Sequence, residues 1–153
     1  MGPRRVLSQA VIAARPETLW NAFVDLLAMS KLDELEPRQR AAHLAFWYDS
    51  EIQNGGHLQY FANRGLEVVP ETVRSLKTLG AHAQADILAE AHRLAAEQEW
   101  DTVTSVEDFV AESLEGGFSR FDDLYQSCAP TVLAVLEEHL EHHKEWYIAV
   151  GAA

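Results

Sequence analysis

EIQNGGHLQYFANRG, Glu51 to Gly65, sets Asn-Gly-Gly between two apolar, aromatic-bearing stretches. Between two strands, Asn-Gly would announce a tight hairpin turn. Here helical periodicity runs on both sides, with Ala42, Ala45, Phe46 and Tyr48 or Ile52 before the glycines and Leu58, Phe61 and Ala62 after them. The stretch therefore reads as a junction of two helices. Asn tolerates the left-handed backbone and Gly adopts it freely, so Asn54 or Gly55 ends the first helix and Asn54 can cap the second. The second glycine lets the helix ends approach closely. Gln59 and Asn63 stand four apart and share a face. An unpaired buried amide costs about 1–3 kcal/mol, so both are expected to be tied to the junction's free backbone groups. The stretch is then a structural lock, and an amide-lined pocket with Glu51 and Tyr60 is the functional alternative.

Working outward, Pro16, Pro37, Pro70 and Pro130 each fall just inside the start of a periodic segment, where a missing N–H costs nothing. Gly65 and Gly80 fall just past segment ends. These marks predict helices at about 17–29, 38–53, 56–63, 71–79, 82–98, 106–115, 119–127 and 131–148. No stretch alternates long enough to predict a strand. FVDLLAM and TVTSVEDF come nearest. The expectation is a single all-α domain over 1–153, with seven to eight helices joined by short connections.

Composition bounds the function. The chain has 153 residues, 48% apolar and 24% charged, an ordinary globular mixture. One cysteine, Cys128, excludes an internal disulfide framework and suits a reducing cytoplasm; it reads as a small hydrophobe near a helix end. The basic start and the short apolar VLSQAVIAA fall well short of the roughly 18 apolar residues of a membrane span. A cytoplasmic location is expected.

The net charge is −12 and is unevenly placed. Residues 1–80 hold 9 acids and 9 bases, whereas residues 81–153 hold 15 acids and 3 bases. Direct binding to nucleic acid, which wants a basic surface, is excluded as the leading reading.

Glu51, Asn54, Gly55, Gly56, Gln59, Tyr60, Phe61 and Asn63 together form E-x-x-N-G-G-x-x-Q-Y-F-x-N. This resembles the signature of the DNA-mimic-protein-19-like family, long carried as a domain of unknown function. The flanks EPRQRAAHLAFWYDSEI and SLKTLGAHAQADILAEA resemble the same family, and FDDLYQ does so more loosely, over about residues 30–127. Arg64 departs from the small polar residue that often follows the last Asn. The resemblance implies an all-α fold and, from a named member, mimicry of DNA by surface carboxylates that occupy the DNA site of a basic DNA-binding protein. The signature itself would not be the mimicking surface.

The carboxylates available for such a surface are Glu97, Glu99, Asp101, Glu107, Asp108, Glu112, Glu115, Asp122 and Asp123, opposed nearby by Arg93 and Arg120. Asp108, Glu112 and Glu115 fall on one helical face by their spacing. The competing reading is a plain acidic surface, which serves solubility and encounter rates alone.

The enzyme readings are weaker. His139 and His143, four apart, have the spacing of a shared metal, but no H-E-x-x-H accompanies them and EEHLEHHKE reads as a solvated face. His43, His57, His82 and His92 read as surface or capping residues. Asp122 and Asp123 are adjacent and so point apart on a helix. No nucleophile elbow or phosphate loop occurs. A non-enzymatic interaction module without cofactor is expected. The alternatives are a small-molecule or metal-dependent enzyme, or a structural homodimer joined through aromatics such as Trp100 or Trp146.

Overall fold

The computed structural model describes residues 2–97 and 117–151. In chain order these form β1 (Arg5–Ser8), α1 (Gln9–Ala14), α2 (Glu17–Met29), α3 (Pro37–Arg64), α4 (Val69–Leu79), α5 (His82–Glu97), α6 (Ser119–Gln126), α7 (Val132–His143) and β2 (Ile148–Gly151). Short 3₁₀ turns occupy Leu32–Glu34 and Lys144–Trp146. The fold is all-α, with seven helices among the described residues, as the periodicity predicts. The helix expected at 106–115, and with it TVTSVEDF, lies outside the described residues. FVDLLAM falls within α2.

α3 is the spine. It starts at Pro37, with Glu36 and Gln39 forming a reciprocal capping box, and packs against α2, α4, α6 and α7. The core around it takes Phe23, Leu26 and Leu27 from α2, Tyr48, Ile52 and Phe61 from α3, then Leu76, Leu88, Leu136 and Tyr147 from later elements. Aromatic rings meet edge to face along this core, as Phe23 and Tyr147 do at 4.7 Å and Tyr48 and Tyr60 at 4.9 Å.

The helices expected at 38–53 and 56–63 are one run with a kink. Gly55 has φ −162° and ψ 17°, and Gly56 has φ 75° and ψ −172°. The left-handed residue is therefore Gly56, not Asn54 or Gly55. Gly80 ends α4 at φ 100°, and the Ala81 N–H closes the turn onto the Leu76 carbonyl at 2.8 Å. α7 is capped by Thr131, whose Oγ1 accepts the Ala134 N–H at 3.1 Å, so Pro130 lies outside the helix rather than in its first turn.

The two ends of the chain depart from expectation. The predicted helix at 131–148 stops at His143, and Ile148–Gly151 is a strand. It pairs in parallel with β1, Arg5 opposite Ile148 and Ser8 opposite Gly151. Each strand has four residues, too few to show alternation. β1 leads into α1, a helix capped by Ser8 at the Val11 N–H (3.1 Å) that buries none of its residues fully. Gln39, fully buried in α3, fastens both ends by donating to the Pro3 and Trp146 carbonyls, each at 2.8 Å. No helix among the described residues is long and apolar enough to cross a membrane.

Candidate functional site

Two of the signature residues, Gln59 and Asn63, converge on a third, Glu51. This residue is 8% exposed, and its side chain accepts from Gln59 Nε2 at 3.0 Å and Asn63 Nδ2 at 2.7 Å, both through Oε2. Its other oxygen faces Arg64 Nη2 at 3.5 Å. Helical spacing puts the two amides on one face, and the kink folds that face back onto the preceding helical segment. The amides therefore bind a carboxylate, where the sequence suggested free backbone groups. Tyr60, also buried, donates to Thr72 Oγ1 at 3.3 Å, and burial pushes its hydroxyl up to about 12. Phe61 belongs to the core. Asn54 lies exposed at the kink.

Across the kink stands Asp122 of α6. Its Oδ1 accepts the His57 backbone N–H at 2.8 Å and lies 2.7 Å from His57 Nδ1. A carboxylate thus caps the free N–H at the start of the helical segment after the kink, supplied by a different helix. Asp122 also occupies the space that a Cβ on Gly56 would need. With Nδ1–H given to the carboxylate, His57 Nε2 accepts from the Tyr48 hydroxyl at 2.7 Å. Burial raises the Tyr48 hydroxyl far above its ordinary range, so it remains the donor. Asp, His and hydroxyl in series are the parts of a nucleophile relay. This hydroxyl is fully buried and held protonated, and so positions helices instead. A second bridge between the same helices joins Tyr125 to Asp49 at 2.5 Å.

His43 and His57, expected in surface or capping positions, are both buried, at 6% and 0% exposure. The signal for His57 was Gly56, because a glycine at a junction marks a close approach. Nothing in the sequence pattern distinguished His43.

Of the nine carboxylates singled out, Glu99, Asp101, Glu107, Asp108, Glu112 and Glu115 lie outside the described residues. Glu97 and Asp123 are exposed, and Asp122 is turned onto His57. Glu97 ends a row on α5 with Asp86 and Glu90, all exposed, spaced by four and seven residues. Arg93 interrupts the row, 3.3 Å from Glu90. Glu137, Glu138 and Glu141 are exposed on α7. Arg120 lies over the Phe121 ring at 4.7 Å.

The His139 and His143 rings approach to 4.9 Å, but His139 Nε2 is engaged by the Tyr147 hydroxyl at 2.6 Å, and His143 is stacked on Trp146 at 3.9 Å. Burial, reinforced by His143 and His142, pushes His139 down to about 4. Among the described residues no group of three or more His, Cys, Asp or Glu is arranged to hold a metal. Trp146 is half-buried beneath the Arg38 guanidinium, at 5.2 Å, rather than a free aromatic, and Trp100 lies outside the described residues. Cys128 sits just past α6, its Sγ 3.4 Å from the Leu124 carbonyl, and burial pushes the thiol up, away from nucleophilic character.

No curated protein and no solved structure matches the chain. The family model described as DMP19-like protein matches residues 33–143, which takes in α3 through α7. It thus spans the Glu51 lock and the Asp122 bridge and runs past residue 127, where the resemblance in sequence faded. The chain belongs to the DMP19-like protein family.

Proposed function

We propose that the protein is an interaction module without a catalytic step of its own, whose acidic face takes the place of DNA on a basic DNA-binding protein. The observation that carries this reading is the charge split, since residues 81–153 supply the entire −12. Family membership supports it, and so does the exposed row Asp86, Glu90 and Glu97 on a helix fixed to the core through Leu88, Ala91 and Ala95.

Magnitudes bear on how the face would work. DNA carries one charge about every 3.4 Å on each strand. Carboxylates four residues apart on a helix are spaced more widely, at about 6 Å per charge. One row is too sparse, so the face must combine rows. Asp86, Glu90, Glu97 and Asp123 supply its described part, and Glu99, Asp101, Glu107, Asp108, Glu112 and Glu115 are the remaining candidates. Asp122 serves the fold.

Competition tests the reading. The protein, immobilised, should retain a DNA-binding protein from host lysate and release it to duplex DNA. Release should also follow about 0.4 M salt, where screening shortens to about 5 Å. Neutralising Asp86, Glu90, Glu97 and Asp123 together to their amides should weaken retention. Retention indifferent to both DNA and salt would overturn the proposal.

A further inference from the structure

A cleft of about 600 Å³ opens between the end of α2, the turn after it, both halves of α3 and the start of α4. That volume lies within the range of small-molecule sites. His43, Leu44 and Trp47 form one wall and Tyr60 with Arg64 another, so the Gly55–Gly56 kink is what brings the two walls together. Met29, Leu44 and Val68 supply an apolar lining.

Three observations describe what the cleft would accept. Among the described residues no aspartate or glutamate lines it, in a chain of net charge −12, whereas Lys31 and Arg64 both do. Arg64 is set in place, the carbon of its guanidinium 3.8 Å from the centroid of the Trp47 ring. Its partner in the fold is Glu51 at the long distance of 3.5 Å, which leaves most of its five donors available. Finally, His43 lines the cleft, and its Nδ1 is buried with no well-formed hydrogen bond among the described residues, although the Leu27 carbonyl lies near enough to the imidazole to favour its protonated form. A buried polar atom in that condition costs about 1–3 kcal/mol, and such atoms are rare enough in native proteins to call for a reason. Burial also pushes the His43 imidazole below its ordinary range, so near pH 7 it is neutral and Lys31 and Arg64 remain the charges on the cleft.

We propose that this cleft binds a small aromatic carboxylic acid in its ionised form, the carboxylate on Arg64 and Lys31 and the ring against Met29, Leu44 and Val68. A planar guanidinium held in place over a ring can meet a carboxylate with two parallel hydrogen bonds. This site stands on the neutral half of the chain and does not rest on the DNA-mimic reading.

The test is a proton–nitrogen NMR titration of the full chain with benzoate, naphthoate and indoleacetate, each run beside its uncharged primary amide. At least one acid should give saturable shifts, centred on the Trp47 indole and the backbone amides of residues 43–47 and 60–64, and bind roughly tenfold more tightly than its amide. Lys31 is exposed, so Lys31→Glu should leave the rest of the spectrum unchanged and weaken the acid several-fold. Val68→Trp, which fills the cleft, should abolish binding. Arg64 also touches Glu51, so Arg64→Gln is informative only beside those two variants. Failure of all three acids to saturate at millimolar concentration would overturn the proposal. So would equal binding of acid and amide, or indifference to Lys31→Glu. Retention of a basic partner is unaffected by any of these outcomes, so the two proposals fail separately.

Discussion

A Cβ on Gly56 would collide with the Asp122 carboxylate, and the backbone there, at φ 75° and ψ −172°, lies in a region that only glycine enters readily. Gly56→Ala should therefore lower stability by at least about 1–3 kcal/mol, the usual cost of such strain, as read by urea unfolding. Glu51→Ala removes the common acceptor of Gln59 and Asn63 and should cost about 1–3 kcal/mol, with Glu51→Gln between it and the wild type. An unchanged midpoint for both would mean that the lock is ornamental. His139 gives a pH signature. Folded, it takes a proton only near pH 4, whereas the unfolded chain takes one near 6.5. The unfolded state thus binds more protons in that window, so stability is full above about 6.5 and declines as pH falls toward 4. Urea midpoints measured across this range should decline less steeply in His139→Asn than in the wild type. Buried His43 acts in the same direction, so some slope should persist.

The elements were legible to very different degrees. α2 runs Glu17–Met29 as predicted, because Pro16 and Glu17 mark its start and its apolar face repeats over several turns. α4 and α5 were legible through Gly80 between them. The kink in α3 was visible as a junction, but its partner was not. Asp122 reads in sequence as one more surface acid, 65 residues from His57, and only the packing of α6 onto α3 gives it another task. Asp122→Asn should therefore act on the far side of that contact. Amide hydrogen exchange at residues 57–60 should speed up, and global stability should fall by about 1–3 kcal/mol, since a charge-assisted pair is lost on a buried imidazole. Faster exchange confined to α6, with residues 57–60 unchanged, would contradict the capping role.

Over the whole molecule, the charge split was plain in the sequence and remains the basis of the functional reading, whereas the closing of the chain upon itself was not. β1 and β2 are 143 positions apart in register, and no local pattern announces such a pairing. Gln39 was equally hidden, because a glutamine in the first turn of a helix reads as a capping residue, and here it does that and also holds two remote carbonyls. Gln39→Ala should lower the unfolding midpoint by an amount equivalent to about 1–3 kcal/mol and loosen both ends together, visible as joint loss of exchange protection at residues 5–8 and 148–151. Loosening of one end alone would show that the glutamine is not their common fastening.

Because those two strands run in the same direction, a load applied between residue 5 and residue 151 pulls them past one another lengthwise. Every rung between them bears the tension at once, where an antiparallel pair tugged from one end would peel open rung by rung. The helices lie in the bypassed part of the chain and feel no force until the strands part. Single-molecule stretching should accordingly show one early rupture at the ends, followed by extension of the helical body.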